Sequence, residues 1–307
     1  HNGMKTLLFI FLITLSFSSC SDTENMVTDN QSDNRNIDFT EIGRIHNEGL
    51  DYVFSKLSLP PRTATRADVG TQLEIDCQRD LLKQVNELCC EYITKQINES
   101  DDAAQNAYLL YGGEKQFKED TETIKTLNIG RMDVQVNISS IADSYIDKIG
   151  ELLNNTSLEV SDLQLQLSQL ESEAQNILTT DIDRNIILPA IAVAKSSSIY
   201  WDENDNKWGN KCGYVNYKLK GLTRSSIWKS DVGGAVGFGL HMCLNGSAAA
   251  IASTGPSGWL SLAVILGGAA LESSAIALLC EMKYVDEKPV DRIFIKEIVT
   301  PIIFPTK

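Results

Sequence analysis

From Asp38 onward the apolar residues return at three- and four-residue steps, the period of a helix buried along one face. Ile42, Ile45, His46, Leu50, Val53, Phe54 and Leu57 form one such face, predicting a helix over 39–57 that Asp38 can cap and Leu59-Pro60-Pro61 ends. A second stripe, Leu73, Cys77, Leu81, Val85, Leu88, Tyr92 and Ile93, predicts a helix over 66–97. Residues 103–134 are less periodic and read as short helices and loops, punctuated by Gly112-Gly113 and Gly130. The face resumes at Ile138, Ile141, Ala142, Tyr145, Ile149 and Leu152, and Asn154-Asn155 closes it. Ser161 and Gln164 then read as a capping box opening a helix with Leu163, Leu167, Leu170, Ala174 and Ile177 as its seam. Two heptads are too few for an independent coiled coil, so this helix is expected to pack within a bundle. A further helix is predicted over 182–201, kinked at Pro189.

Beyond Trp201 the pattern changes. Asp202-Glu203-Asn204-Asp205-Asn206 begins like a calcium loop, but Lys207 stands where glycine is needed and Gly213 where a closing Glu belongs. An exposed acidic turn is expected there, and no metal. Val215, Tyr217 and Leu219 alternate with polar neighbours, predicting a short strand that pairs with 292–299.

The stretch 231–283 carries small residues at fourth positions: Ala235, Gly239, Cys243 and Ser247, then Ala269, Ser273 and Ala277. Thr254-Gly255-Pro256-Ser257-Gly258 separates the two runs as a turn. Glycine weakens a helix by about 1 kcal/mol relative to Ala, so close backbone approach must compensate. An antiparallel helical hairpin packed through those seven positions is the expectation. Its second arm, Trp259 to Cys280, is long enough to span a bilayer, whereas His241, Asn245 and Glu272 are costly in hydrocarbon. A hairpin buried in a soluble body is expected, with membrane insertion as the alternative. The fold class is mainly α: a helical bundle containing this hairpin and a small β element, in one domain over 38–307.

The N-terminal region adds location. Met4-Lys5, the apolar run Leu7–Phe17 and Phe17-Ser18-Ser19-Cys20 read as a lipoprotein signal peptide over 4–19, with Cys20 the lipid attachment site. Residues 20–37 are polar and acidic and are expected to form a disordered tether. Asp22 and Glu24, just after the cysteine, resemble the surface-export signal of Bacteroidota lipoproteins. The expected location is the outer membrane, surface-exposed or facing the periplasm.

Composition removes function classes. A net charge of −14, from 41 acidic against 27 basic residues, repels phosphate and argues against nucleic acid as a partner. Of the histidines, His46 and His241 are candidates for chemistry, yet at least one lies on an apolar face where a packed imidazole is the ordinary case. Gly255-Pro256-Ser257-Gly258 has the wrong spacing for a nucleophile elbow, and neither a phosphate loop nor a zinc pattern occurs. A distant carboxylate pair for glycoside hydrolysis stays open. No enzyme, cofactor or metal is expected. Among the six cysteines beyond Cys20, at most one disulfide is expected, with Cys77, Cys243 and Cys280 as buried thiols.

Three segments carry a resemblance: HNEGLDYV at 46–53, AKSSSIYW at 194–201 and SDVGGAVGFG at 230–239. They resemble segments of uncharacterised Bacteroidota-type lipoproteins with a Gly/Ala-rich C-terminal hairpin, and the last also resembles glycine-rich stretches of bacteriocin-like peptides. The resemblance implies no activity and transfers no site. The function expected is a lipid-anchored protein with a binding or structural role towards a protein or glycan partner. A membrane-active, bacteriocin-like protein that inserts 231–283 is the alternative.

Overall fold

The computed structural model describes residues 38–58, 72–126, 138–211, 221–244, 246–252 and 255–281. Its elements are α1 (Thr40–Lys56), α2 (Gln72–Asn98), α3 (Asp102–Tyr111), α4 (Gly113–Thr126) and α5 (Ser140–Asn154). They continue with α6 (Val160–Ile177), α7 (Asp181–Lys211), α8 (Gly221–Leu244), α9 (Ser247–Ala252) and α10 (Pro256–Glu281). No strand occurs among the described residues; the proposed strands at 215–219 and 292–299 lie outside them, as do the signal peptide and tether.

Local sequence explains most boundaries. The Asp38 carboxylate accepts from Thr40 N at 3.0 Å as α1 begins, and Asp101 caps α3 by accepting from Ala104 N at 2.7 Å. Gly112, at φ 112°, ends α3 in the left-handed region where a side chain would be strained. Ser139 caps α5 through Ala142 N at 3.1 Å, while its own N–H donates to Asp183 of α7 at 3.1 Å.

Two expectations are corrected here. The Ser161–Gln164 capping box does not form, because α6 starts at Val160 and Glu159 occupies the N-cap without a side-chain bond. Gln164 instead crosses to α7, donating to Lys195 O at 2.7 Å and Ser198 Oγ at 2.6 Å. The acidic turn after Trp201 is also absent: α7 runs on through 202–206 to Lys211. Trp201 and Trp208, both fully buried seven residues apart, hold that stretch helical, leaving Asp202 and Glu203 on the solvated side. Pro189 sits inside α7.

The layers follow from which helices are amphipathic. α6 buries Leu163, Leu167, Leu170 and Ala174 against α7, the bundle packing its seam predicts; Ile177 is exposed and Leu178 is buried in its place. α10 is apolar on every side, with 261–272 buried throughout, as is 230–239 of α8. Helices apolar all round belong in a core. α10 packs against α8 most extensively and also against α1, α2 and α3, while α8 packs against α7, so the amphipathic helices sheathe the two arms.

Candidate functional site

The two arms fold as helices despite their glycines because tight crossing replaces what propensity loses. The closest approach is at Gly234 of α8. A Cβ there would lie 2.5 Å from Ser273 Oγ and 2.6 Å from the Ala269 carbonyl oxygen of α10. Ala269 and Ser273 thus stand on the α10 side of that approach. Ala235 and Ala277 are buried, and Cys243 is half-buried with its thiol pushed up by burial. Gly239 is buried with its nearest neighbours at ordinary contact distance, Asn185 O and Leu266 Cδ2 at 3.8 Å. Ser247 opens the separate short helix α9. On the opposite side α10 meets α1, where a Cβ on Gly267 would lie 2.9 Å from Ile42 O.

Each charged or imidazole side chain described in the buried stretches of the arms is tied to the sheath. Asp231 of α8 is 0% exposed and accepts from Ser197 Oγ and, at 3.2 Å, from Trp201 Nε1, both on α7. His46 of α1, also 0% exposed, places Nε2 3.5 Å from the same Asp231 oxygen. Trp201 Nε1 also donates to Ser274 of α10 at 3.2 Å, so this hub joins four helices. His241 lies ten residues along α8, with Nε2 2.9 Å from Asp120 Oδ1 of α4. Asp120 further accepts from Tyr111 at 2.7 Å and Gln116 at 2.7 Å. Burial pulls the Asp120 carboxyl up, but the hydrogen bonds from His241, Tyr111 and Gln116 outweigh it and hold the group below its ordinary range. Glu272 of α10 is met by Asn86 of α2, whose Nδ2 donates at 2.8 Å, and Asn86 in turn accepts from Cys90 Sγ at 3.8 Å.

The chemistry of the hub is structural. In a nucleophilic triad the imidazole bridges hydroxyl and carboxylate, whereas here Asp231 is the centre and Ser197 donates to it directly. With Ser197, His46 and Asp231 all fully buried, a substrate has no approach. Among the described residues no group of three or more His, Cys, Asp and Glu is placed to hold a metal ion. His46 is fully buried and His241 half-buried, and their carboxylate partners are separated from them by more than a hundred residues and carry no local signal. Cys89 and Cys90 are buried thiols of α2. No protein-family model, curated protein or solved structure matches the chain.

Proposed function

We propose that the chain is a lipid-anchored surface or periplasmic protein, held at the outer membrane by acyl chains on Cys20 and serving a binding or structural role through its helical body. The lipobox Phe17-Ser18-Ser19-Cys20 and the acidic residues after it support the anchor. The observation that carries the reading is the placement of Pro256–Ala277. This stretch is long and apolar enough to cross a bilayer, yet 89% of its apolar window is buried inside the protein's own body. Membrane attachment then falls to Cys20, and several acyl chains supply it firmly at about 0.8 kcal/mol per buried methylene.

The same proposal includes kinship with Bacteroidota-type lipoproteins and a two-stranded element from 215–219 and 292–299. It is non-catalytic and uses no cofactor; its partner is a protein or glycan, and the net charge of −14 argues against nucleic acid. The test is mass spectrometry of the N-terminal peptide from membrane-purified protein. A peptide beginning at Cys20 with acyl chains attached is expected, and an unmodified Cys20 overturns the reading.

A membrane-active role is the second reading, favoured by the high mean hydropathy and length of α10. It predicts dye leakage from vesicles at neutral pH, where the first reading predicts none.

A further inference from the structure

The end of the body where the chain emerges towards Cys20 has an unusual surface. Asp38, the first described residue, precedes Phe39, whose ring meets Trp259 edge-on at 6.2 Å between centroids. Trp259 belongs to the first turn of α10, so α1 starts beside the tip of the hairpin. α3 lies across that same tip. At one end Asp101 accepts from Ser257 at 3.0 Å and Ala104 O accepts from Ser261 at 2.6 Å. At its other end Tyr111 reaches Asp120, which holds His241 near the close of α8. The helix thus runs from the start of the second arm to the end of the first.

Its outer face carries Leu109 and Leu110, 70% and 68% exposed, the two most exposed large apolar side chains among the described residues. Adjacent leucines that bury so little are placed for something other than the core. Seventeen residues, 21–37, separate Cys20 from Asp38, and fully extended the segment reaches at most about 65 Å. A lipid on Cys20 keeps the end bearing Phe39 within that distance of the bilayer without choosing the face that meets it.

We infer that Leu109 and Leu110 form a docking surface for the lipid bilayer itself, so that the body rests on its hairpin-tip end with α3 against the headgroups. Two signals, an acyl anchor and an apolar patch, fix an orientation that the anchor alone leaves free. Asp101 and Asp102 at the start of α3 disfavour anionic headgroups, which makes a zwitterionic surface the matching one. The inference rests on the lipid anchor proposed above.

The test uses the full lipidated chain on vesicles of phosphatidylcholine and phosphatidylethanolamine, with and without brominated acyl chains. Leu110→Trp and Leu109→Trp each place an indole on α3, and Leu165→Trp places one on α6, at a residue 59% exposed on a helix packed against α5 and α7. Emission is read as the difference from the parent protein. Brominated lipid is expected to quench the added α3 indoles about twofold or more and to leave the α6 indole unchanged. A parent that floats with vesicles while the α3 indoles stay unquenched, or are quenched no more than the α6 indole, overturns the docking surface and leaves the anchor standing. A parent that does not float with vesicles overturns the anchor and the docking surface together.

Discussion

Gly234→Ala adds one methyl group where the two arms of the hairpin cross. Its Cβ would stand 2.5 Å from Ser273 Oγ and 2.6 Å from Ala269 O, well inside ordinary contact. The serine hydroxyl can rotate away, but the carbonyl belongs to the α10 backbone and yields only if the two arms separate. Opening the crossing by roughly 0.5–1 Å forfeits a quarter to a half of the dispersion well at each contact along it. Overpacking of this kind costs about 1–3 kcal/mol, of which the better helix propensity of Ala returns about 1 kcal/mol. The net cost is up to about 2 kcal/mol, so for a body of this size the melting temperature should fall, by up to about 8 °C. Gly239→Ala is the matched control. Its Cβ would meet Asn185 O, Leu266 Cδ2 and Ile186 Cγ1 at 3.8–3.9 Å, so only the propensity gain remains and the melting temperature should hold or rise. Thermal denaturation followed by circular dichroism reads both. A Gly234→Ala protein melting at or above wild type, or a Gly239→Ala protein falling as far, refutes the packing argument.

Asp231→Ala leaves the Ser197 hydroxyl buried without its acceptor and removes the carboxylate 3.5 Å from His46 Nε2, and should lower stability by about 1–3 kcal/mol in urea titration, with Ser274→Ala milder. Asp120 binds its proton less readily folded than unfolded, so its stabilisation is fully present above the ordinary carboxylate value near 3.9 and is lost as pH falls through the lower folded value. Denaturation midpoints measured from neutral pH down to about pH 3 should drop at the acid end, and Asp120→Asn should flatten that drop. Glu272→Leu removes the acceptor of Asn86 Nδ2 and should destabilise the body by about 1–3 kcal/mol while leaving vesicles intact in a dye-release assay.

Elements with one apolar face were legible in the sequence. The stripe from Ile42 to Leu57 locates α1 within a residue at each end, and Leu163 to Ala174 locates the buried side of α6. Errors arose where a local signal competed with burial. Asp202 to Asn206 look like a turn in isolation, but Trp208 two residues later must reach the same core face as Trp201, and the helix continues to bring it there. The seven-residue spacing of those tryptophans was the available signal. The fourfold spacing of small residues located the hairpin but favoured Gly239 over Gly234, because spacing reports a stripe and not which point of it the other arm crosses. The hub around Asp231 was illegible: His46 is 185 positions away, and only the folded arrangement of α1, α7, α8 and α10 joins them.

Detergent phase partitioning of wild type and Cys20→Ala is the measurement that bears most directly on the proposal that the apolar arms are the protein's own core and that a lipid on Cys20 attaches it to the membrane. Wild-type protein should enter the detergent phase and Cys20→Ala the aqueous phase, since 89% of the apolar window of α10 is already buried. Cys20→Ala protein shown by mass to lack residues 1–19 that still stays in the detergent phase would show the hairpin itself holding the chain in the membrane and would contradict the account.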